Sequence, residues 1–186
     1  MAAQAFAQAE RVLRTVSDAS SRAELWLATA RALRQAGRNR DAERALRFAQ
    51  QAASNPYRLR QIAETQVEWE LYDAAVESAR RIPARALVDA CAKTRIILLL
   101  AQRRQWSDAL ALAEPVSDLD WRGAVLINLA LEAARQGDRL RAQRVLERIP
   151  SAVLRFWGYW ATLPNTLSEA QAHLQAMEQA LQAIEP

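Results

Sequence analysis

Chemistry at a protein site needs a nucleophile, a base or a ligand set, and this 186-residue chain offers few of each. Its one cysteine, Cys91, has Lys93 two positions on, and its one histidine, His173, stands beside Leu174. A nucleophile needs a base within hydrogen-bonding reach, and no second histidine exists to supply one. One cysteine excludes an internal disulfide, and one histidine excludes the usual His/Cys metal clusters. There is no Gly-rich phosphate loop and no HExxH, CxxC or DxD arrangement. The residues therefore point away from an enzyme and toward a protein without metal or cofactor, with Cys91 an incidental thiol and His173 solvent-facing.

Arginine is the chemistry the chain does have. The formal charge is +4, and Lys93 is the only lysine among 25 basic residues. Guanidinium groups pair in fork geometry with carboxylates and phosphates. Arg40, Arg44 and Arg47 fall at helical spacing, and so do Arg141, Arg144 and Arg148, giving two ridges that could follow phosphates. Asp41, Glu43, Asp138 and Glu147 lie among them, however, and no aromatic suited to base stacking stands beside them. Nucleic acid is accordingly not the expected partner, and an arginine- and alanine-rich composition also suits a GC-rich genome.

A third feature is aromatic. In "RIPSAVLRFWGYWATLP" (148–164), Phe156, Trp157, Tyr159 and Trp160 occupy four of five consecutive positions. They could grip a partner or plug the end of a core.

The elements that would position these residues are helices. Alanine, leucine, arginine and glutamine dominate, with only four glycines and six prolines, a balance that favours helix nearly throughout. The segments "ARALRQAGRNRDAERALRFA" (30–49) and "ALEAARQGDRLRAQRVLERI" (130–149) each read as helix, glycine turn, helix. Gly37 and Gly137 fit the left-handed position that ends a helix. Five residues later stand Ala42 and Ala142, and with Ala75 and Ala109 they form a series spaced by 33, 34 and 33 residues. Such a period marks a stacked array of helical hairpins.

With those residues in view, the chain resembles the tetratricopeptide (TPR) repeat family. A first repeat matches at Trp26, Ala30, Leu33, Gly37, Ala42, Leu46 and Ala49. The fourth matches at Leu126, Ala130, Ala133, Gly137, Ala142, Leu146 and Ile149, and the second at Leu59, Ala63, Ala75, Ala79 and Ile82. In the third, Lys93 replaces the bulky opening residue and Arg104 the turn glycine. The prolines that close helix B in the family come early here, as Pro83, Pro115 and Pro150. The resemblance covers about residues 23–156 and implies an all-α, right-handed α-solenoid of about four hairpins in a single domain, 1–186. Small residues on both helices of a hairpin allow close approach while Leu and Ile fill the gaps.

The resemblance also implies a function: a non-enzymatic interaction module, a bacterial-type adaptor or assembly factor whose concave groove takes a peptide or helix. Its partner-binding residues would be Arg31, Arg34, Tyr57, Arg60, Glu64, Leu98, Leu131 and Arg135. That groove is arginine-rich in its first half and aliphatic in its second, which suits a ligand with acidic and apolar character.

Both ends need covering, because an array exposes apolar faces at its termini. Phe6, Ala9, Leu13 and Val16 mark an N-terminal capping helix over 1–19, and Ser21 with Glu24 reads as a capping box. Asn55-Pro56 reads as a helix start, and Asp118 or Asp120 as the next cap. Continuing the period by eye makes Trp160 the bulky opener of a fifth helix A that Pro164 ends. Residues 157–186 would then hold an aromatic plug, with one ring left over facing outward, and a final helix opened by Thr166 and Glu169. That helix carries an apolar seam of Leu167, Leu174, Met177, Leu181 and Ile184. The seam could cap the array, fold into its groove or form a homodimer. The longest apolar run, 96–101, is far below the ~20 residues that span a bilayer, and the start has no signal-peptide pattern. The expectation is a cytoplasmic protein.

Overall fold

A computed structural model describes residues 2–83, 87–116, 118–162 and 167–183, and the regular secondary structure among them is entirely helical. The helices are α1 (Ala2–Thr15), α2 (Ala19–Gln35), α3 (Asn39–Ala52), α4 (Pro56–Glu68), α5 (Tyr72–Arg80) and α6 (Leu87–Gln102). They continue as α7 (Trp106–Ala113), α8 (Leu119–Arg135), α9 (Arg139–Leu146), α10 (Ala152–Ala161) and α11 (Leu167–Gln182). The chain divides into two compact units, Met1–Ile96 and Ile97–Pro186, with the division inside α6.

The glycine positions explain the helix ends. Gly37 and Gly137 have φ of +74° and +79°, and Glu70 and Arg104 adopt the same left-handed backbone at +63° and +61°. After each, the next N–H reaches back five residues: Arg38 to Leu33 O, Leu71 to Gln66 O, Gln105 to Leu100 O and Asp138 to Ala133 O, at 2.8–2.9 Å. This is the Schellman closure, which satisfies carbonyls that a helix end would otherwise orphan. Five residues beyond each turn, Ala42, Ala75, Ala109 and Ala142 are all buried. The 33, 34, 33 spacing is thus a repeated backbone event, and it persists where glycine is missing.

In Met1–Ile96, α2 packs with α3 and α4 with α5, while α4 also touches α2 and α3 and α1 lies on α2. Trp26 is the aromatic centre, with Phe6 at 6.4 Å and Phe48 at 4.8 Å between ring centroids. Around it the buried alanines Ala23, Ala30, Ala45 and Ala49 allow the helices to close up. Polar rungs join side chains about one repeat apart. Arg44 pairs with Glu10 at 3.0 Å, Asn55 donates to Ser20 at 3.0 Å, and Arg58 pairs with Glu24. A buried chain of amides and hydroxyl links three helices: Ser78 donates to Gln66 Oε1 (2.8 Å), and Gln66 Nε2 donates to Gln50 Oε1 (3.1 Å). Arg81 then donates to the carbonyls of Gln50 (2.6 Å) and Ala53 (2.5 Å), covering the C-terminal end of α3. Polar groups this deep persist only when bonded.

In Ile97–Pro186, α8 and α9 form a hairpin, α10 packs on both, and α11 packs on α10. Two glycines set the α10 contact. A Cβ at Gly123 would stand 2.5 Å from Leu154 Cδ1, and one at Gly158 would stand 2.5 Å from Leu146 Cδ2 and 3.3 Å from Ile127 Cγ1. Rungs recur here as well: Arg148 donates to Glu114 at 2.5 Å, and Gln136 donates to Ala101 O at 3.0 Å.

The caps differ in part from the sequence reading. Asn55 and Asp118 cap α4 and α8 as expected, accepting from the N–H groups of Arg58 and Trp121. The cap of α2 is Asp18, which accepts from the Ser21 N–H at 2.6 Å, so the helix starts at Ala19 instead of after Ser21. A carboxylate three residues before a free N–H is the stronger acceptor, and it displaces the Ser21–Glu24 box. Thr166 lies outside the described residues, and with it the box it would form with Glu169.

Candidate partner-binding face

The expected binding residues divide between the two units. In Met1–Ile96, α2 carries Arg31 and Arg34, and α4 carries Tyr57, Arg60 and Glu64. The α4 trio falls at i, i+3 and i+7, which places it on one helical face. Tyr57 is 55% exposed, with the guanidinium carbons of Arg60 and Arg58 at 5.3 and 5.5 Å from its ring centroid. Gln61 Nε2 donates to its hydroxyl at 3.1 Å. Glu64 sits 3.9 Å from Arg60 and 3.8 Å from Arg95 of α6. Arg60 Nε is buried without a hydrogen-bond partner, which leaves a donor aimed at nothing in the chain.

The α2 arginines are fixed at one side each. Arg31 Nη2 donates to Thr65 Oγ1 at 3.0 Å, and Arg34 lies 5.2 Å over the Trp69 ring. A guanidinium has five N–H donors, so one bond to Thr65 leaves Arg31 with most of its donors. A ring beneath Arg34 fixes the plane of its fork and leaves the edge available. The surface therefore combines oriented cations, an exposed aromatic ring and one shared carboxylate. It can bind anions in bidentate geometry next to an apolar side chain. Thr65, Trp69 and Arg95, which position these groups, were not read from the sequence. Thr65 lies 34 residues after Arg31, so the period itself carries that signal.

The remaining three belong to Ile97–Pro186. Leu98 and Leu131 are half-buried, and Arg135 is exposed with Glu132 of its own helix at 3.8 Å. Arg135 is consequently engaged along its helix.

The aromatic cluster resolves into two faces of α10. Tyr159 is 4% exposed and Phe156 half-buried, whereas Trp157 and Trp160 are 55% and 56% exposed. Burial raises the Tyr159 phenol's pKa above its ordinary value, with Glu147 adding to the effect. Trp160 is thus not the counterpart of Trp26 and not the opener of a helix. It stands in the last turn of α10, and the buried counterpart is Tyr159. The steps from Trp26 through Leu59, Lys93 and Leu126 to Tyr159 are 33, 34, 33 and 33, and every member is 8% exposed or less. A one-residue error rotates a side chain by about 100° around the helix, enough to carry it from core to solvent.

On α11, Met177 is buried together with Ala180, and Leu174 is 48% exposed. The side chains of Leu167, His173 and Leu181, and all of Ile184, lie outside the described residues. Cys91 is exposed. Lys93 is 8% exposed, and burial, with Arg80 nearby, holds its ammonium below the ordinary lysine range. Among the described residues no three His, Cys, Asp or Glu side chains come together to hold a metal ion. Among those residues no helix is long and apolar enough to cross a membrane. Compared with models of known families, with curated proteins and with solved structures, the chain matches none.

Proposed function

We propose that the chain is a divergent TPR-like α-solenoid that works as a non-enzymatic, cytoplasmic binding module for protein segments of acidic and apolar character. The observation that carries this reading is the arginine face of Met1–Ile96. Arg31 and Arg34 are each held at one edge or face, by Thr65 and Trp69, with bonding capacity to spare. Arg60 stacks on Tyr57 and keeps an unbonded Nε. Carboxylates of a ligand would meet these forks, and an apolar side chain would lie against Tyr57. Each such charge-assisted bond contributes about 1.5–3 kcal/mol. The repeated turns at 33, 34 and 33 residues support the repeat assignment, since each hairpin presents its helix A in the same register.

A fluorescein-labelled 12-residue peptide alternating Glu and Leu, followed by fluorescence anisotropy, tests this reading. Arg31→Glu, Arg34→Glu and Arg60→Glu together should weaken its binding at least ten-fold, with helicity by circular dichroism unchanged. Binding of the same strength to the triple variant would remove the site. A matched peptide alternating Lys and Leu should not bind, and equal affinity for both would remove the charge argument.

A further inference from the structure

Helix α10 offers solvent an uncharged stripe. Val153, Trp157 and Trp160 are 47%, 55% and 56% exposed, and their i, i+4, i+7 spacing puts them on one side of the helix. Exposed tryptophans in a row are uncommon on a surface that meets only water, and they concentrate in interfaces.

Their register shows what this side of the helix does elsewhere in the chain. Counting back in steps of 33, 33, 34 and 33, Val153, Trp157 and Trp160 correspond to Ser20, Glu24 and Leu27 of α2. In α2 that side faces the next helix A: Ser20 accepts from Asn55 and Glu24 pairs with Arg58, both at the start of α4. One step before α10, Ile127 of α8 corresponds to Trp160, and Ile127 meets α10 at Gly158. The stripe is therefore the surface on which a helix A is followed by another helix. Among the described residues, α11 is the helix that follows α10, and Trp157 and Trp160 stay more than half exposed with α11 packed on α10.

We propose that a second copy of this chain occupies the stripe, α10 against α10 about a two-fold axis. The surface is neutral and apolar from Val153 to Trp160, so a copy of itself meets no like charge and no unpaired polar group. A charged ligand of the kind assigned to the arginine face would gain nothing there. A two-fold contact sets the same three side chains of each copy against each other, which doubles the number of tryptophans buried. The arrangement differs from a seam on α11, where Met177 and Ala180 are already buried. The three side chains cover well below the ~800 Å² per partner of a standard interface. The dimer is accordingly weak and reversible, its two tryptophan pairs forming the centre of the contact.

Sedimentation velocity of the full chain between about 1 and 300 µM is the test, the range matching a dimer of this small area. The expected result is a weight-average mass that rises toward two chains as concentration increases. Trp157→Glu and Trp160→Glu, both at exposed positions, should each stay monomeric over the whole range and melt like the parent. Mixing Trp157→Glu with Trp157→Lys should restore a dimer that neither forms alone. A parent chain that stays monomeric at the highest concentration overturns the proposal. So does a dimer that survives Trp157→Glu, and Leu174→Glu abolishing that surviving dimer would assign it to α11.

Discussion

At the scale of single residues, the least expected feature is that Glu70 and Arg104 occupy backbone positions that suit glycine. An L-residue in the left-handed region costs about 1–2 kcal/mol, while glycine adds some unfolded-state entropy. Glu70→Gly and Arg104→Gly should each stabilise the chain by about 0.5–1 kcal/mol, read as a rise in the urea midpoint. Gly37→Ala, with open space around the added Cβ, should lower it through strain alone. Lys93 gives a second prediction. Its folded pKa lies below the model value of 10.5, so the unfolded chain binds the proton more tightly. Stability therefore rises with pH between the folded value and 10.5. Lys93→Met should remove that slope and raise stability near neutral pH by about 1 kcal/mol, because a desolvated ammonium is replaced by an apolar side chain of similar length. Equal pH slopes for the two proteins in thermal melts from pH 7 to 10 would contradict this. Gly37 and Gly137 made two turns readable in the sequence. The other two were hidden because nothing in the residue types Glu and Arg announces a positive φ.

At the scale of elements, the helices were legible and their faces were not always so. The capping signals of Asn55-Pro56 and Asp118 located α4 and α8, since both residue types accept locally from free N–H groups. On α10 the reading slipped by one residue, because four neighbouring aromatics look alike to a pattern that seeks a bulky side chain. Burial of Tyr159 depends on Gly123 and Gly158 letting α10 approach α8 and α9, which is a tertiary fact. The buried Gln50–Gln66–Ser78 chain escaped the sequence reading for the same reason: glutamine and serine usually face water. Gly158→Ala should therefore destabilise by about 1–3 kcal/mol despite better helix propensity, because Leu146 is fully buried and has little room to move. Gly123→Ala should cost less, as Leu154 is only half-buried and can swing aside. Melting temperatures of the two variants side by side check the ranking. Gln66→Leu should cost about 1–3 kcal/mol by leaving Ser78 and Gln50 without their shared partner.

At the scale of the whole molecule, the period of 33 and 34 residues was the most informative signal, because backbone turns, buried alanines and side-chain rungs all follow it. The partner-binding face was only half legible. Arg31, Arg34, Tyr57, Arg60 and Glu64 could be named from their register, but Thr65, Trp69 and Arg95, which orient them, required the packed structure. The positive charge of +4 alone identifies no ligand. Only a few arginines are both oriented and left with donors, and these determine the site. If the account is right, peptide affinity should fall with salt, since partly exposed ion pairs are screened over about 8–10 Å at physiological ionic strength. The most direct measurement is a ¹⁵N-¹H correlation spectrum of the labelled chain during titration with the alternating Glu/Leu peptide. The account predicts shifts concentrated at Arg31, Arg34, Tyr57, Arg60, Glu64 and the Trp69 indole. Shifts that leave this face untouched, or that centre on the outer ridge of Arg141, Arg144 and Arg148, would contradict it.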